Sequence, residues 1–270
     1  MLKEIGMDFD NYDVSLLPEL SEDAKEKWYA KFYYQGRAEV STEECALFAK
    51  DRLMDPTKAL IPGINIDALM EPGHITGDLG YCLLDNGVGY GSSCTALDEV
   101  TFEMFDWYRK LKEKDDLAYK IWYPGSHISE WSGIGVNSIE DVGYGLECIT
   151  GESPCTPENL GLSCQPAEKD PDFITLLAGN GWVSRVNNPD NLPIRGMCLF
   201  HYVRRLPSGG TEFRTHFYID AFCKSGHLIK IGSHKSEVVL EMARRMLSHC
   251  IYERNNLRTF LPEMYNKMRM

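Results

Sequence analysis

The chain contains no run of about 20 apolar residues, so no membrane-spanning helix is expected. Its opening stretch, MLKEIGMDFDNYD, is acidic rather than a signal sequence, which predicts a cytoplasmic protein. Positive charge is scarce: 28 Lys and Arg stand against 40 Asp and Glu, for a net charge of -12. A phosphate backbone needs a concentrated basic footprint, so no nucleic-acid partner is expected. The nine cysteines, at 45, 82, 94, 148, 155, 164, 198, 223 and 250, form no C-x-x-C pair. Neither a zinc knuckle nor a disulfide framework follows from such spacing, and most are expected to be small buried hydrophobes or incidental thiols. The serine-hydrolase elbow GxSxG is missing too, since GYGSSC has serines without the required pattern. Gly87, Gly89 and Gly91 have a dinucleotide-like spacing but fall in an apparent hairpin, outside any βαβ context.

What is present suits a folded domain, because 270 residues with 43% hydrophobic content can bury a full core. Residues 1–70 read as an irregular start followed by short helices, a small portion suited to pairing subunits. Ser21 in LSEDAKEKWYAKFY and Ser41 or Thr42 in STEECALFAKDRL are the candidate caps. Asn86-Gly87 marks a hairpin. LDEVTFEMFDWYRKLKEK is then a helix with Val100, Met104, Trp107 and Leu111 on its core side, and YKIWYPGSH (119–127) an extended aromatic segment that breaks at Pro124-Gly125. After a Pro-, Asn- and Gly-rich excursion, clear β pattern returns in RGMCLFHYVRRLPSGGTEFRTHFYIDAFC, turning at Pro207 to Gly210. The whole reads as α+β, an antiparallel sheet with a long C-terminal helix along its concave or apolar face.

That helix, Lys235 to Tyr265, carries the chemistry. Val238, Val239, Met242, Met246, His249 and Glu253 follow offsets of three and four and line one stripe, whereas Glu237, Glu241, Arg244, Arg245 and Arg254 read as the outward face. His249 and Glu253 thus continue an apolar face where a free charge is costly. One turn apart, an imidazole and a carboxylate point at a common centre and can hold a metal ion. The alternative is an ordinary i,i+4 pair worth roughly 0.2–0.5 kcal/mol. His127, just after the Pro-Gly turn, is either aimed into a cleft or an ordinary hydrogen-bonded histidine. Glu140 and Glu147 are each open to a strand or a solvated position. Pairing Leu206 with Thr211 would set His201 opposite His216, as a metal pair, as contacts to a polar substrate group, or facing solvent beside Arg214.

Three stretches, YKIWYPGSH at 119–127, HYVRRLPSGGTEFRTHFYI at 201–219 and HCIYERNNLRTFLPEMY at 249–265, together give a chain that resembles the phloretin hydrolase and 2,4-diacetylphloroglucinol hydrolase family. Members of that family hydrolyse the carbon–carbon bond between an aromatic polyphenol and an acyl group. The likeness runs from about Pro56 onward, and its last stretch joins H-x-x-x-E to NLxxFLP. It implies a helix-grip, Bet v 1-like catalytic domain over 71–270, a curved antiparallel sheet around a long C-terminal helix, with the smaller, mainly helical portion over 1–70 and a homodimer. It also implies zinc held by two histidines and two glutamates: His127, Glu140, His249 and Glu253, with Glu147 competing for Glu140. By the same likeness Tyr119 lies near the substrate, His201 contacts a ring hydroxyl and His216 lines the pocket. The expected substrate is a small polyphenolic ketone that releases its acyl part as a carboxylic acid. A noncatalytic carrier of hydrophobic aromatic ligands on the same fold is the alternative.

Overall fold

Strand pattern from Gly80 to Ile219 builds one eight-stranded antiparallel sheet. A computed structural model describes residues 12–71, 79–133, 135–141, 146–185 and 195–269, with side chains described outside 131–154 and 182–195. Two short helices come first, α1 (Glu22–Lys25) and α2 (Thr42–Leu47); Ser21 caps one, and Ser41 caps the other in a reciprocal box with Glu44. The strands are β1 (Gly80–Leu83), β2 (Gly89–Leu97), β3 (His127–Gly133), β4 (Gly135–Asp141), β5 (Leu146–Pro154), β6 (Phe173–Arg185), β7 (Arg195–Arg205) and β8 (Thr211–Ile219). Their spatial order is β1-β2-β8-β7-β6-β5-β4-β3. Between β2 and β3, α3 (Phe102–Lys112) and α4 (Asp116–Trp122) carry the chain from one side of the sheet to its far edge. Short helices α5 (Pro157–Leu160) and α6 (Pro166–Lys169) precede β6, and β9 (Ala221–Lys224) with β10 (His227–Lys230) forms a separate hairpin. Register shifts in β3, β5 and β6 bend the sheet, and α7 (Ser236–Met268) lies across it. This is the helix-grip arrangement expected.

The hairpin at Asn86-Gly87 forms, with Leu83 paired to Gly89 and Gly87 in the left-handed region at φ 77°. The inward face of α3 is led by Phe105 and Tyr108, while Met104, Trp107 and Leu111 are only partly buried. YKIWYPGSH departs from its expected extended form. Asp115 caps Leu117 N and starts α4, so Tyr119 and Trp122 are helical, and only the Pro124-Gly125 turn breaks the chain.

Strand alternation sorts the core into two sides. Cys198, Phe200, Tyr202, Tyr218 and Tyr90 pack with residues 59–70 on the back of the sheet. Met197, Val203, Phe213, Phe217 and Ile219 face α7. The helix is also covered from behind: Phe32 packs on Phe260, and the Arg37 guanidinium lies 3.8 Å over the Tyr252 ring. Double coverage is why so much of α7, including Arg244 and Arg254, is buried.

One asparagine ties these layers. Asn256 Nδ2 donates to Ile121 O (3.0 Å) and Trp122 O (2.9 Å), two carbonyls that the end of α4 leaves without helical partners, and its Oδ1 accepts from Ala38 N at 2.9 Å. Asn256→Ala strands three buried backbone groups. We expect a loss of about 3 kcal/mol in urea unfolding, the upper end of what one unsatisfied buried group costs; a change below about 0.5 kcal/mol would show that the clamp is dispensable.

Candidate metal centre

The turn after α4 delivers the first residue of the site. Ser126 N bonds to Tyr123 O (3.0 Å), with Pro124 and Gly125 at the two central positions and Gly125 at φ 85°. Those are the residues a type II turn needs, and they start β3 at His127. Across the sheet face, α7 presents His249 and Glu253 on successive turns. Trp122 Nε1 donates to Glu253 O at 2.9 Å, which fixes α7 against the end of α4.

These two placements bring three buried ligand atoms together. His127 Nε2 and His249 Nε2 are 3.2 Å apart, and Glu253 Oε2 lies 3.6 and 3.8 Å from them. A tetrahedral ion with bonds of about 2.0–2.1 Å separates its ligands by roughly 3.3–3.4 Å, so the triangle has the right size for one. Its chemistry agrees. His127 Nδ1 donates to Tyr119 O (3.3 Å), which leaves the Nε2 lone pair aimed into the cluster, and His249 Nδ1 lies 3.2 Å from Ser126 Oγ. Burial, then the neighbouring His249 and Lys112 charges, holds His127 neutral well below the ordinary histidine value. Burial also lowers His249, against the pull of Glu253. Neutral imidazoles beside a carboxylate are what a divalent cation binds, and among the described residues this is the group that fits one.

Aromatic rings enclose it. The Tyr119 ring stacks on His127 at 4.3 Å, Trp122 meets the same imidazole edge-on at 5.2 Å, and Tyr123 lies 5.0 Å from His249. Lys112 and Glu130 form a buried ion pair, with the Lys112 Nζ 4.9 Å from the Trp122 ring. The backbone of Glu140 pairs directly with His127, and that of Glu147 pairs with Glu140; both side chains lie outside the described residues.

The two other histidines do not meet. The turn between β7 and β8 is one residue longer than expected: Arg205, not Leu206, pairs with Thr211, so His201 faces Thr215 and His216 faces Phe200. The slip sends them to opposite faces. His201 looks toward α7, where Arg254 Nη2 donates to its Nε2 at 2.7 Å. His216 is in the back layer, stacked on Phe200 and 2.9 Å from the Tyr90 hydroxyl. Arg214, also expected near solvent as one option, is buried on that side, with Nη1 donating to Leu69 O and Glu71 O. Arg254, expected on the outward face, is 2% exposed. Its signal was present: Ala243, Leu247, Cys250, Leu257 and Leu261 share its stripe by offsets of three and four. Lys112, Ser126 and Glu130 carried no comparable signal.

With the geometry in place, the family described as DAPG hydrolase PhiG domain matches residues 62–266. The chain belongs to the DAPG hydrolase family. A 2,4-diacetylphloroglucinol hydrolase of Pseudomonas sp is 23% identical over 229 residues, covering 77% of this chain and 78% of the relative. One from Pseudomonas protegens (strain DSM 19095 / LMG 27888 / CFBP 6595 / CHA0) is 22% identical over 229 residues, covering 77% and 74%. Among solved structures, Ara h 8.0201 covers 64% of this chain and 97% of its own at 9% identity and a TM-score of 0.34, too slight a likeness to carry argument. In this member of the DAPG hydrolase family, no helix among the described residues is long and apolar enough to cross a membrane.

Two measurements check these placements. His127→Ala, His249→Ala and Glu253→Ala should each lower bound metal at least tenfold by elemental analysis, whereas His227→Ala and His234→Ala leave it intact; equal loss across all five would point to a general folding defect. His216 gives a pH signature. Burial, then the Arg214 charge, lowers it to about 3, so the unfolded chain takes up a proton that the folded one refuses between about pH 6.5 and 3. That contribution is fully present above pH 6.5 and is lost as pH falls toward 3. His216→Phe should therefore flatten the unfolding free energy across that window, and an unchanged slope would mean that His216 titrates normally.

Proposed function

We propose that this chain is a zinc-dependent hydrolase that cleaves the bond between a phloroglucinol-type ring and its acyl group, releasing a carboxylic acid. The observation that carries the reading is the buried His127–His249–Glu253 triangle in a member of the DAPG hydrolase family. Zinc is the proposed ion because two imidazoles and a carboxylate at tetrahedral spacing suit it. Glu140 is the proposed fourth ligand: the register supports it, since its backbone adjoins His127 whereas that of Glu147 is one strand further away. Held by these four residues, the ion would supply polarisation of the acyl carbonyl and a water acidified toward neutrality.

An aryl carbon is a poor leaving group, and the ring hydroxyls solve this. The proton of a ring hydroxyl moves to the acyl-bearing carbon, giving a β-diketone-like tautomer. A water oxygen bonds to the acyl carbonyl carbon. The bond between ring and acyl carbons then breaks, its electron pair moves onto the ring oxygen, and the water's remaining proton neutralises that oxygen. One water is consumed, and one carboxylic acid and one ring C–H are formed. Tyr119 serves this chemistry by backing His127 with its ring and holding Nδ1 with its carbonyl, which fixes the tautomer that turns Nε2 inward.

Purified protein should release acetate from 2,4-diacetylphloroglucinol, lose the activity on chelation and regain it with zinc. Full activity without metal would sink the mechanism, and tight binding without acid release would favour the carrier. A panel that keeps the acyl chain and removes individual hydroxyls should lose turnover when the hydroxyl flanking the acylated carbon goes.

A further inference from the structure

Arg254 is a deeply buried charge, 2% exposed, that the metal ligands leave unexplained. Its guanidinium is walled by the rings of Trp122 (5.0 Å), Phe213 (4.9 Å) and Phe105 (5.7 Å). Nη2 donates to His201 Nε2 at 2.7 Å and lies 3.3 Å from Glu253 Oε1, the carboxylate oxygen turned away from the two imidazoles. Nε and Nη1 are buried and have no hydrogen-bond partner among the described residues. A stranded donor in such a place costs about 1–3 kcal/mol, more when charged, so two on one group call for a ligand.

The surroundings define that ligand. Guanidinium only donates, so His201 Nε2 must be the acceptor and its Nδ1 the donor to Thr215 Oγ1 at 2.8 Å. With both nitrogens engaged, His201 aims Arg254 and has no atom left for substrate. On the same face of the sheet, Ser93 Oγ and Thr95 Oγ1 are also buried without a hydrogen-bond partner among the described residues. A Cβ on Gly89 would meet Val239, and Arg258 Nη2 donates to Ala96 O, so β2 runs beneath α7 and these two hydroxyls lie under the stretch that bears Glu253 and Arg254. Phe213, which Arg254 covers, pairs with Thr95. Two charged donors, two hydroxyls and three aromatic walls beside a metal ligand match a flat ring that bears an anionic oxygen and further hydroxyls.

We infer that Arg254 is a catalytic residue of the proposed hydrolysis, the group that binds a ring oxygen of the acylphloroglucinol as a phenolate and stabilises the negative charge that returns to that oxygen when the carbon–carbon bond breaks. His201 is its positioning residue, and Ser93 and Thr95 hold neighbouring ring hydroxyls. Bound this way, the ring oxygen releases its proton to solvent before cleavage, which raises electron density at the acyl-bearing carbon; that carbon then takes a proton from solvent, and the ring oxygen becomes the carbonyl of the β-diketone-like tautomer. On cleavage the electron pair returns to the same oxygen, already in contact with the guanidinium. This rests on the hydrolase reading and extends it to the ring end of the substrate.

The test uses the full-length zinc-loaded protein, Arg254→Met and Arg254→Lys, with folding checked by thermal melting and metal content measured in each. Donors to a developing oxyanion are worth about 10²–10³ in kcat. Arg254→Met should lose at least 100-fold in kcat with metal content unchanged and KM moved far less, and Arg254→Lys, which keeps the charge but not the fork, should lose about tenfold. The second readout is the absorbance of 2,4-diacetylphloroglucinol at the first mixing of a single turnover. Wild type should show the red-shifted phenolate band at a pH where the free compound is neutral, and Arg254→Met should show the neutral spectrum. Retention of kcat within threefold together with the phenolate band in Arg254→Met overturns the assignment. If that variant does not fold, wild-type kcat in Arg254→Lys does so. Wild-type protein that binds the compound as phenolate but releases no acid refutes the hydrolase reading instead, and the band in the variants then decides Arg254 by itself.

Discussion

The site depends on one crossing, where the end of α4 is locked to the middle of α7. His127 belongs to the turn that follows α4, and His249 and Glu253 belong to α7, more than 120 residues later. Neither helix alone defines a site. Trp122 Nε1 on Glu253 O and the Asn256 amide on Ile121 O and Trp122 O fix both the height and the rotation of one helix relative to the other. A slip of one α7 residue would turn each side chain by about 100° and disperse the ligand triangle. The same bonds satisfy the open carbonyls at the end of α4, so one set of contacts terminates a helix and aligns the metal ligands.

Much of this was legible in the sequence. The stripe from Val239 to Glu253 has helical periodicity strong enough to put His249 and Glu253 on the buried face, and Pro124-Gly125 marked the turn that presents His127. The register of the β7–β8 hairpin was not legible. A loop of five residues and one of four are both compatible with LPSGGT, and a single residue decides which of His201 and His216 faces α7. The helical state of YKIW was hidden because aromatic and β-branched residues suit a strand as well, and only the cap at Asp115 and the packing of Trp122 under α7 settle it. Arg254 was lost to a rule that usually holds, since arginine is mostly exposed. A helix covered by the sheet on one side and by residues 32–38 on the other has little outward face to give it.

Charge balance connects these observations. The chain carries twelve more acidic than basic side chains, yet among the described residues Lys112 and Arg254 are both buried near the ligand triangle. Lys112 is matched by Glu130, whose ion pair braces the aromatic wall behind His127. Among the described residues the ion pair of Arg254 is with the far oxygen of Glu253, at 3.3 Å, and that carboxylate also faces the two imidazoles. On the proposed zinc reading, an ion held by two carboxylates would be neutral as a unit, and the guanidinium beside it would keep a charge that is expensive to leave unpaired in a buried medium. That reading favours a ligand that brings one negative charge on a flat, apolar-sided body. A polyphenol ring in its ionised form would meet both conditions, and a neutral sugar or peptide would not, so under the proposed function the buried guanidinium would select the kind of molecule that can pair with it.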